Sequence, residues 1–523
     1  MEHLSSQQKT ITMLAIISTT IFVGLNTTII NTALPRIVAD IGGMEYFSWI
    51  FTTFMLTSSI TTILVGKLSD IYGRKIFILS GLVFFITGAL LAGFSANIFQ
   101  MIICRGIQGV GGGMLVSTSF AAVGDLFSPR ERARWQGLMG AAYGVASVLG
   151  PAIGGYIVDN ADWHWIFWVF IPLGIFAFLL ILKLFPAKAS NERVEIDYLG
   201  SIFITIFMVS LLLSFTWAGS KYPWRSWEVF GLLSSSIVAI SVFFMVEKKV
   251  TNPVIPLNLF KNKIFLISNL ISFFMGIGMF SIIMFMPFFV QGVLGATATK
   301  SGYIVIPLTL VMMIVSPITG QVVSRTGKYK KLGLVGLAIM AFGIFLTSLM
   351  NSNSSLITGA INMSIVGIGL GICFPIFNLT TQNAVEHKFL GVATATTQMF
   401  RHFGGTIGVT LLSLVMNFRF ADRFEAAFNQ SGTLITVQND PEASVISALI
   451  QNPQELMNTE KLAQMEAMLP LHLKTAFVET IELLRATFEY SLTGVFLVAA
   501  LIVLAALIIG FFLEEIPLRT SND

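Results

Sequence analysis

Charged side chains are scarce in this sequence of 523 residues. Asp, Glu, Lys and Arg together make up 11% of it, whereas soluble globular domains carry about 25%. Hydrophobic residues make up 55%, and the mean hydropathy is +0.81. A chain this long cannot cover a water-facing surface with so few charges, so most of its surface is expected to face lipid. The composition therefore excludes an ordinary soluble protein and predicts an integral membrane protein.

Several other features are missing. The two cysteines, Cys104 and Cys373, lie in apolar runs, so a disulfide framework or a cysteine metal site has no support and they are expected to be small core residues. The sequence has no Gly-x-x-x-x-Gly-Lys-Ser/Thr motif and its loops are short, so an ATP-driven pump is excluded. Basic residues are spread over many loops rather than gathered in one patch, so no nucleic-acid partner is expected. No cofactor motif is present, and no enzyme activity is predicted.

Apolar runs are what the sequence does contain. A bilayer core about 30 Å thick needs roughly 20 apolar residues per helical crossing, and such runs recur along the chain. The alternating ten-residue segments of a membrane β-barrel do not occur. The runs predict an all-α membrane protein with fourteen spans near residues 11–31, 47–66, 76–94, 98–121, 135–158, 164–183, 198–217, 228–246, 263–286, 301–322, 332–350, 356–378, 392–416 and 487–513.

The distribution of Lys and Arg predicts the orientation. Most of the 31 basic residues fall in the loops and tails on the side of both termini, and short basic loops stay cytoplasmic. We therefore expect a multi-pass protein of the cell membrane with both termini in the cytoplasm. Arg105 and Arg401 are the exceptions, because they lie inside predicted spans.

Residues 418–486 interrupt this pattern with a polar segment of mixed charge. Asn439-Asp440-Pro441 and Asn452-Pro453 are plausible helix starts. Phe477, Ile481, Leu484 and Phe488 recur at helical spacing, which predicts a helix that continues into the last span. We expect a small, mainly helical extracytoplasmic segment that is a lid, a lipid-facing extension or a tolerated insertion.

The sequence also contains an internal repeat. A shift of 254 residues places Gly66–Lys75 on Gly320–Tyr329 and Gly150–Gly154 on Gly404–Gly408. Two landmarks that share one offset indicate duplication of a six-span unit, and two further spans between the copies would give fourteen. Transporters are often built from such repeats, with the substrate site between them. The predicted segments are 1–190 (first six-helix half), 191–262 (two inserted helices), 263–417 (first five helices of the second half), 418–486 and 487–523 (last span and tail).

Four local motifs bear on function. Residues 66–75 form a glycine-bounded turn with an acid and bases beside helix ends, where the helix dipole favours them. Residues 105–109, Arg-Gly-Ile-Gln-Gly, place a costly arginine inside a span. Residues 140–155 contain many glycines, which let helices approach closely, and a Gly-Pro step that bends the helix. Residues 26–35 carry Asn26 and Asn31 in the first span.

Together these motifs resemble the major facilitator superfamily, and within it the fourteen-span drug:proton antiporter group. The resemblance implies the major facilitator fold: two six-helix halves plus two inserted helices. It implies a conformational latch of Gly66, Asp70, Gly73, Arg74 and Asp125, although the basic residues of this loop also suit simple topological anchoring. It implies an antiporter motif that seals a helix interface, formed by Gly144, Gly150, Pro151, Gly154 and Gly155.

The resemblance also suggests proton-coupling candidates: Arg105, Asp125 and His402. Each has an alternative role: Arg105 as a brace bonded to backbone carbonyls of the first span, Asp125 as a latch partner only, and His402 as a packing residue. The group's first-span motif normally opens with an aspartate, but here the residue is Asn26, which cannot carry a proton. Substrate-cavity candidates are Asn26, Asn31, Gln108 and Arg401.

The expected function is export of amphipathic or hydrophobic compounds by alternating access, with proton antiport. The expected partners are a lipophilic small-molecule substrate, protons and membrane lipid. Two alternatives remain open: an exporter of lipids or lipid-like conjugates, and a membrane sensor that transports nothing.

Overall fold

A computed structural model describes residues 5–41, 46–186, 197–218, 221–296, 298–430, 443–451, 453, 456 and 459–516. Its regular structure there is helical, apart from one isolated β-bridge between Ala218 and Tyr222. The helices of the first part are α1 (Ser6–Ile41), α2 (Phe47–Tyr72), α3 (Arg74–Ala92), α4 (Ile98–Leu126), α5 (Pro129–Asn160), α6 (Trp165–Trp168), α7 (Ile171–Leu184), α8 (Tyr198–Trp217) and α9 (Trp227–Glu247). They are followed by α10 (Lys263–Gly292), α11 (Ala298–Thr326), α12 (Lys330–Ser348), α13 (Leu356–Asn383), α14 (Leu390–Gln430), α15 (Ser444–Gln451), α16 (Thr459–Met468) and α17 (Leu471–Phe511).

Thirteen segments of the described chain are long and apolar enough to cross a membrane. The predicted fifth span, 135–158, is not among them, but it lies within α5, whose 32 residues extend about 48 Å. A count of fourteen is compatible with these helices and stays a prediction. The predicted sixth span, 164–183, is broken into α6 and α7, with a proline at the start of α7.

The last two spans are much longer than predicted. Helices α14 and α17 each contain 41 residues, about 60 Å or twice the hydrocarbon thickness. They continue because they keep packing on each other beyond the span: the ring of Phe420 lies 4.7 Å from that of Phe488. Helix α17 contains Phe477 to Phe488, which confirms the predicted helix that continues into the last span. Residues 439–441 and Asn452 lie outside the described residues.

Two bundles contain most of the buried apolar residues. One core joins α1, α2, α3, α4, α5 and α7, and the largest core joins α10 to α14 with α17; we call these the N-terminal and C-terminal bundles. Helices α8 and α9 pack chiefly against each other, and α8 also contacts α2 and α14. The predicted segment boundaries stay predictions.

The 254-residue offset recurs in the helix ends. Helix α2 ends at Tyr72 and α11 at Thr326, and each is followed by a glycine with positive φ, 92° at Gly73 and 69° at Gly327. Only glycine adopts this backbone conformation readily. The two turns are therefore the same structural feature at equivalent positions.

Candidate functional site

The end of the protein that carries the turns at Gly73 and Gly327 is called the basic face here. At this face the Arg74 side chain is buried between α2, α3 and α4. Its Nε lies 3.0 Å from Oδ2 of Asp125, and its other nitrogens bond to Asp70 and Ser69. The Gly73 turn allows this arrangement because it places Arg74 two residues past the end of α2, at the start of α3. The structure thus brings Asp70, Arg74 and Asp125 of the expected latch into contact. The other two latch residues, Gly66 and Gly73, lie on the same helix end and in the turn that follows it.

Asp70 also reaches across to the C-terminal bundle. Its carboxylate accepts hydrogen bonds from the backbone N–H groups of Gly391 at 3.0 Å and Val392 at 3.1 Å. These groups lie in the first turn of α14, where N–H groups lack partners within the helix. The negative charge is also favoured by the positive end of the helix dipole. We call this contact between the end of α2 and the start of α14 the Asp70 junction.

Glycine is required on both sides of the Asp70 junction. A Cβ atom added at Gly66 would lie 2.6 Å from the Cβ of Ala395, and one added at Gly391 would lie 2.6 Å from Nη1 of Arg74. Neither distance is compatible with van der Waals contact. The two helices therefore touch here through backbone, which is what allows the short side chain of Asp70 to reach α14.

A second junction joins the end of α11 to the start of α5. The Arg130 guanidinium donates to the carbonyl oxygens of Ser324 at 2.5 Å and Arg325 at 2.6 Å. These carbonyls belong to the last turn of α11, where a cation is favoured by the helix dipole. Glycine again permits the approach, since a Cβ atom at Gly137 would lie 2.9 Å from Cα of Pro317. We call this contact the Arg130 junction.

Gly391, Val392 and Arg130 were not predicted as site residues. A signal was available for Gly391 alone, because the 254-residue offset that pairs Gly66 with Gly320 also pairs Gly137 with Gly391. A further inter-bundle contact was missed as well: the side chain of Gln136 donates to that of Gln382 at 2.8 Å.

The Gly327 turn is held by the segment that follows α17. Oε1 of Glu515 accepts from the backbone N–H groups of Tyr329 at 2.8 Å and Lys330 at 3.1 Å. The Tyr329 hydroxyl accepts from the N–H of Ile516 at 3.0 Å. Burial raises the pKa of Tyr329 above its ordinary value, so this hydroxyl stays protonated at neutral pH.

A buried polar chain lies inside the N-terminal bundle. Arg105, which is 1% exposed, donates to Oε1 of Gln108, and Nε2 of Gln108 donates to Oδ1 of Asn26 at 3.0 Å. Nε of Arg105 faces the carbonyl of Ile50 at 3.4 Å, and its guanidinium carbon lies 4.3 Å from the centre of the Phe54 ring. In the described part of the chain no carboxylate forms an ion pair with Arg105. The contacts fit a bracing role, but the carbonyl that Arg105 faces belongs to α2 and not to the first span as expected. The first span is reached only through Gln108, which is bonded to Asn26.

Arg401 occupies a similar environment in the C-terminal bundle. It is 2% exposed, donates to Gln398 at 3.0 Å and to Asn378 at 3.4 Å, and lies 4.2 Å from the centre of the Phe374 ring. Its Nε has no partner among the described residues. The neighbouring His402 is half-buried, with its ring 6.2 Å from that of Phe280.

The proton-coupling candidates are not brought together. Asp125 lies 20 residues beyond Arg105 on α4, about 30 Å along the helix, and His402 lies on α14. Asp125 contacts Arg74 and also His387, whose Nε2 is 3.6 Å from its Oδ1. The substrate-cavity candidates also lie in different bundles: Asn26 and Gln108 are bonded in the N-terminal bundle, and Arg401 lies on α14 in the C-terminal bundle.

The glycines of α5 face two neighbours. A Cβ atom at Gly144 would lie 2.7 Å from the Cβ of Met313 on α11. Gly150 faces Thr28 on α1, whose hydroxyl donates to the carbonyl of Ala146 at 2.9 Å. Gly154 is buried. The side chains of Pro151 and Asn31, and the surroundings of Gly155, lie outside the described residues.

Comparison with known proteins gives consistent matches. The family model of the Major Facilitator Superfamily matches residues 16–409. The chain is 35% identical to the multidrug transporter protein MdtP of Bacillus subtilis (strain 168), over 98% of this chain and 94% of that protein. It is 31% identical to multidrug resistance protein 3 of the same organism, over 95% of this chain and 94% of that protein.

Solved structures agree in fold. The proton:xylose symporter XylE superposes with a TM-score of 0.61 at 12% identity, covering 98% of this chain and 97% of that one. The human organic anion transporter MFSD10 (TETRAN) gives a TM-score of 0.59 at 14% identity, covering 95% of this chain and 99% of that one. Identities this low bear on the fold alone.

Proposed function

Since this chain belongs to the Major Facilitator Superfamily, we propose that it is a multidrug efflux transporter that exports amphipathic or hydrophobic compounds by proton antiport. The family match confirms the expected fold class, and the relatives' names confirm the prediction of a transporter rather than an enzyme. The long apolar helices make it a multi-pass membrane protein. Placement in the cell membrane with both termini in the cytoplasm is part of the proposal and is supported by the Lys and Arg distribution.

The substrate class is supported by the similarity to two proteins named for multidrug transport or resistance, each matched over nearly its whole length. Lipophilic compounds suit a path bounded by apolar helices. The absence of an acid at Asn26 argues against a dedicated first-span partner for cationic drugs.

Closure of the basic face is the observation that carries the transport mechanism. Both junctions join the two bundles at this one face. If the basic face is cytoplasmic, the structure corresponds to the outward-facing state of an alternating-access cycle. Substrate uptake from the cytoplasm then requires both junctions to separate.

Protons would act at the cluster around Arg74. Asp70 and Asp125 each give up charge on protonation, which weakens the pairing with Arg74 and, for Asp70, the hydrogen bonds to the start of α14. Asp125 retains 14% exposure and lies beside His387, so a proton can reach it from the basic face. Proton uptake would thus favour opening of the Asp70 junction.

Proteoliposomes test this proposal. The purified protein, loaded with a fluorescent lipophilic dye on one side, is expected to move dye against its gradient when a proton gradient is imposed, and to release protons when dye is added. We expect Asp125→Asn to abolish dye-induced proton release, while Glu386→Gln, an exposed acid at the same face, retains it. Asn26→Asp tests whether a first-span acid adds a second coupled proton. Absence of proton movement in the wild type contradicts antiport.

Export of lipids or lipid-like conjugates is the second candidate. It is favoured by the extension of α14 and α17 past the bilayer as a packed pair. A deletion strain distinguishes the two: drug hypersensitivity supports drug efflux, whereas unchanged resistance with altered envelope lipids supports the alternative. A sensor would show no counterflow of any compound in proteoliposomes.

A further inference from the structure

A cavity of about 220 Å³ lies beside the end of α2, between α2, the start of α8 and the segment that joins α9 to α10. Leu64, Leu68 and Ile71 form its apolar wall, and Lys67 and Asp197 contribute charged groups. Tyr198 lines the rim and is 70% exposed. In a membrane such an exposed rim at the end of α2 opens toward the lipid of the leaflet at the basic face.

Asp197 lines this cavity, and the buried side chain of Glu247 adjoins it through a hydrogen bond from the lining residue Val254. Asp197, 6% exposed, caps α8 by accepting from the N–H of Gly200 at 2.7 Å with Oδ1. Glu247, 4% exposed, accepts from the N–H groups of Val254 at 3.1 Å and Ile255 at 3.3 Å with Oε1. Oδ2 of Asp197 and Oε2 of Glu247 have no partner among the described residues. A buried polar atom without a partner is costly, which indicates a missing donor.

The cavity region holds one base and two carboxyl groups. Glu247 lies within electrostatic range of Asp197 and of Lys67, so a single base is shared by both carboxyl groups. Within the described chain, no ion pair of 4.0 Å or less joins Lys67 to either acid. The next cation, Lys388, is already paired with Glu386 at 2.7 Å. One positive charge with N–H donors would complete the cluster.

We propose that this cavity binds the ammonium group of an amphipathic amine in the membrane leaflet at the basic face. The ammonium donates to Oδ2 of Asp197 and lies in the field of Glu247, while the hydrocarbon chain runs along Leu64, Leu68 and Ile71. The volume accommodates the head of the molecule, and the tail leaves past Tyr198 into lipid. The amine is either the headgroup of an aminophospholipid or a soluble amphipathic amine, and its binding does not depend on the proposed drug efflux.

Binding of dodecylamine to the purified full-length protein in dodecyl maltoside, measured by calorimetry, tests the site. Asp197→Asn keeps the helix cap, because Asn caps as well as Asp, but removes the charge. We expect it to weaken dodecylamine binding by about tenfold or more, the loss of one charge-assisted hydrogen bond. Glu247→Gln keeps an acceptor for Val254 and Ile255 and should also weaken binding. Glu228→Gln, an exposed acid at the far end of α9, should bind as the wild type.

Two results overturn the proposal: unchanged affinity in both Asp197→Asn and Glu247→Gln, or equal affinity for the neutral analogue dodecanol. Thermal unfolding of each variant shows whether it is folded. If Asp197→Asn is unstable, the affinity of Glu247→Gln and the comparison of dodecylamine with dodecanol still test the proposal.

The source of the amine is resolved by Lys67→Gln in phosphatidylglycerol nanodiscs with and without phosphatidylethanolamine. If the ligand is a lipid, Lys67 binds its phosphate group. Phosphatidylethanolamine should then compete with dodecylamine for the wild-type protein, and it should bind Lys67→Gln more weakly. A soluble amine is repelled by Lys67, so dodecylamine should bind Lys67→Gln more tightly, without competition from the lipid. Either pattern supports the ammonium site, whereas binding of both probes that is insensitive to Asp197→Asn contradicts it.

Discussion

The two junctions at the basic face are related by the internal repeat and yet use opposite chemistry. In the Asp70 junction, an acid on α2 accepts from the N–H groups that start α14. In the Arg130 junction, a base on α5 donates to the carbonyl groups that end α11. The offset places Ser324 where the first junction has Asp70, and Lys328 where it has Arg74. Duplication kept the helix packing, and the polar groups diverged.

This difference separates the roles of the two contacts. Asp70 and Arg74 are buried and their contact depends on a carboxylate that can take up a proton. Arg130 is exposed, and its contact joins a guanidinium to backbone carbonyl groups without any carboxylate. We infer that protons act on the Asp70 junction, and that the Arg130 junction follows when the bundles separate.

Asp70→Asn should have the largest effect. It removes a charge that bonds to Arg74 and to the N–H groups of Gly391 and Val392, and breaking a buried ion pair costs about 3–5 kcal/mol. We expect dye efflux in proteoliposomes to fall about tenfold or more, with the protein still folded. Glu386→Gln is the matched control. An Asp70→Asn rate equal to that of the control would show that the junction does not control transport.

Gly391→Ala should come next, because the new methyl group would meet Arg74 and Asp70 within 2.7 Å. The junction must widen, so efflux is expected to fall severalfold. Gly302→Ala on α11 provides the control, since a Cβ atom there meets nothing within 4 Å. That variant should gain thermal stability, by up to about 1 kcal/mol. Equal efflux by the two variants would contradict the steric argument.

Arg130→Ala should have a smaller effect, because its hydrogen bonds are exposed to solvent. We expect efflux to fall by about twofold to fivefold, in line with about 1 kcal/mol for such contacts. Arg134→Ala, an exposed arginine one turn further along α5, should retain the wild-type rate. If Arg130→Ala lost as much activity as Asp70→Asn, the proposed difference between the junctions would be wrong.

Tyr329→Phe should have the smallest effect. It removes the hydroxyl that fastens the Gly327 turn to the segment after α17. Because the folded pKa is raised above the ordinary value near 10, the hydroxyl's contribution is fully present below pH 10 and is lost as pH rises from there through the folded pKa. The melting-temperature difference between Tyr329→Phe and the wild type should therefore be constant from pH 6 to about pH 9. A difference that changes in this range would indicate another titrating group.

Sequence reasoning went furthest where one local pattern decides the structure. Apolar runs predicted the helices, and the motif around Asp70 led to the Arg74 and Asp125 cluster. Sequence reasoning failed where the partner comes from a distant helix. The Asp70 junction uses the backbone N–H groups of Gly391 and Val392, so the residue types there do not reveal a bound acid, and the internal repeat marks only the close approach at Gly391. The lengths of α14 and α17 were underestimated because packing between two helices, rather than hydropathy, extends them.

The most direct test is the distance across the basic face, measured by double electron–electron resonance between spin labels at Arg134 and Lys328. Both side chains are exposed and flank the Arg130 junction, and the two cysteines at 104 and 373 would first be replaced by alanine. If the junctions hold the face closed, the wild type at neutral pH gives one short distance. Asp70→Asn should add a longer distance, and the wild type at acidic pH should show the same longer distance. The same distribution in all three samples would contradict control of the basic face by the Asp70 junction.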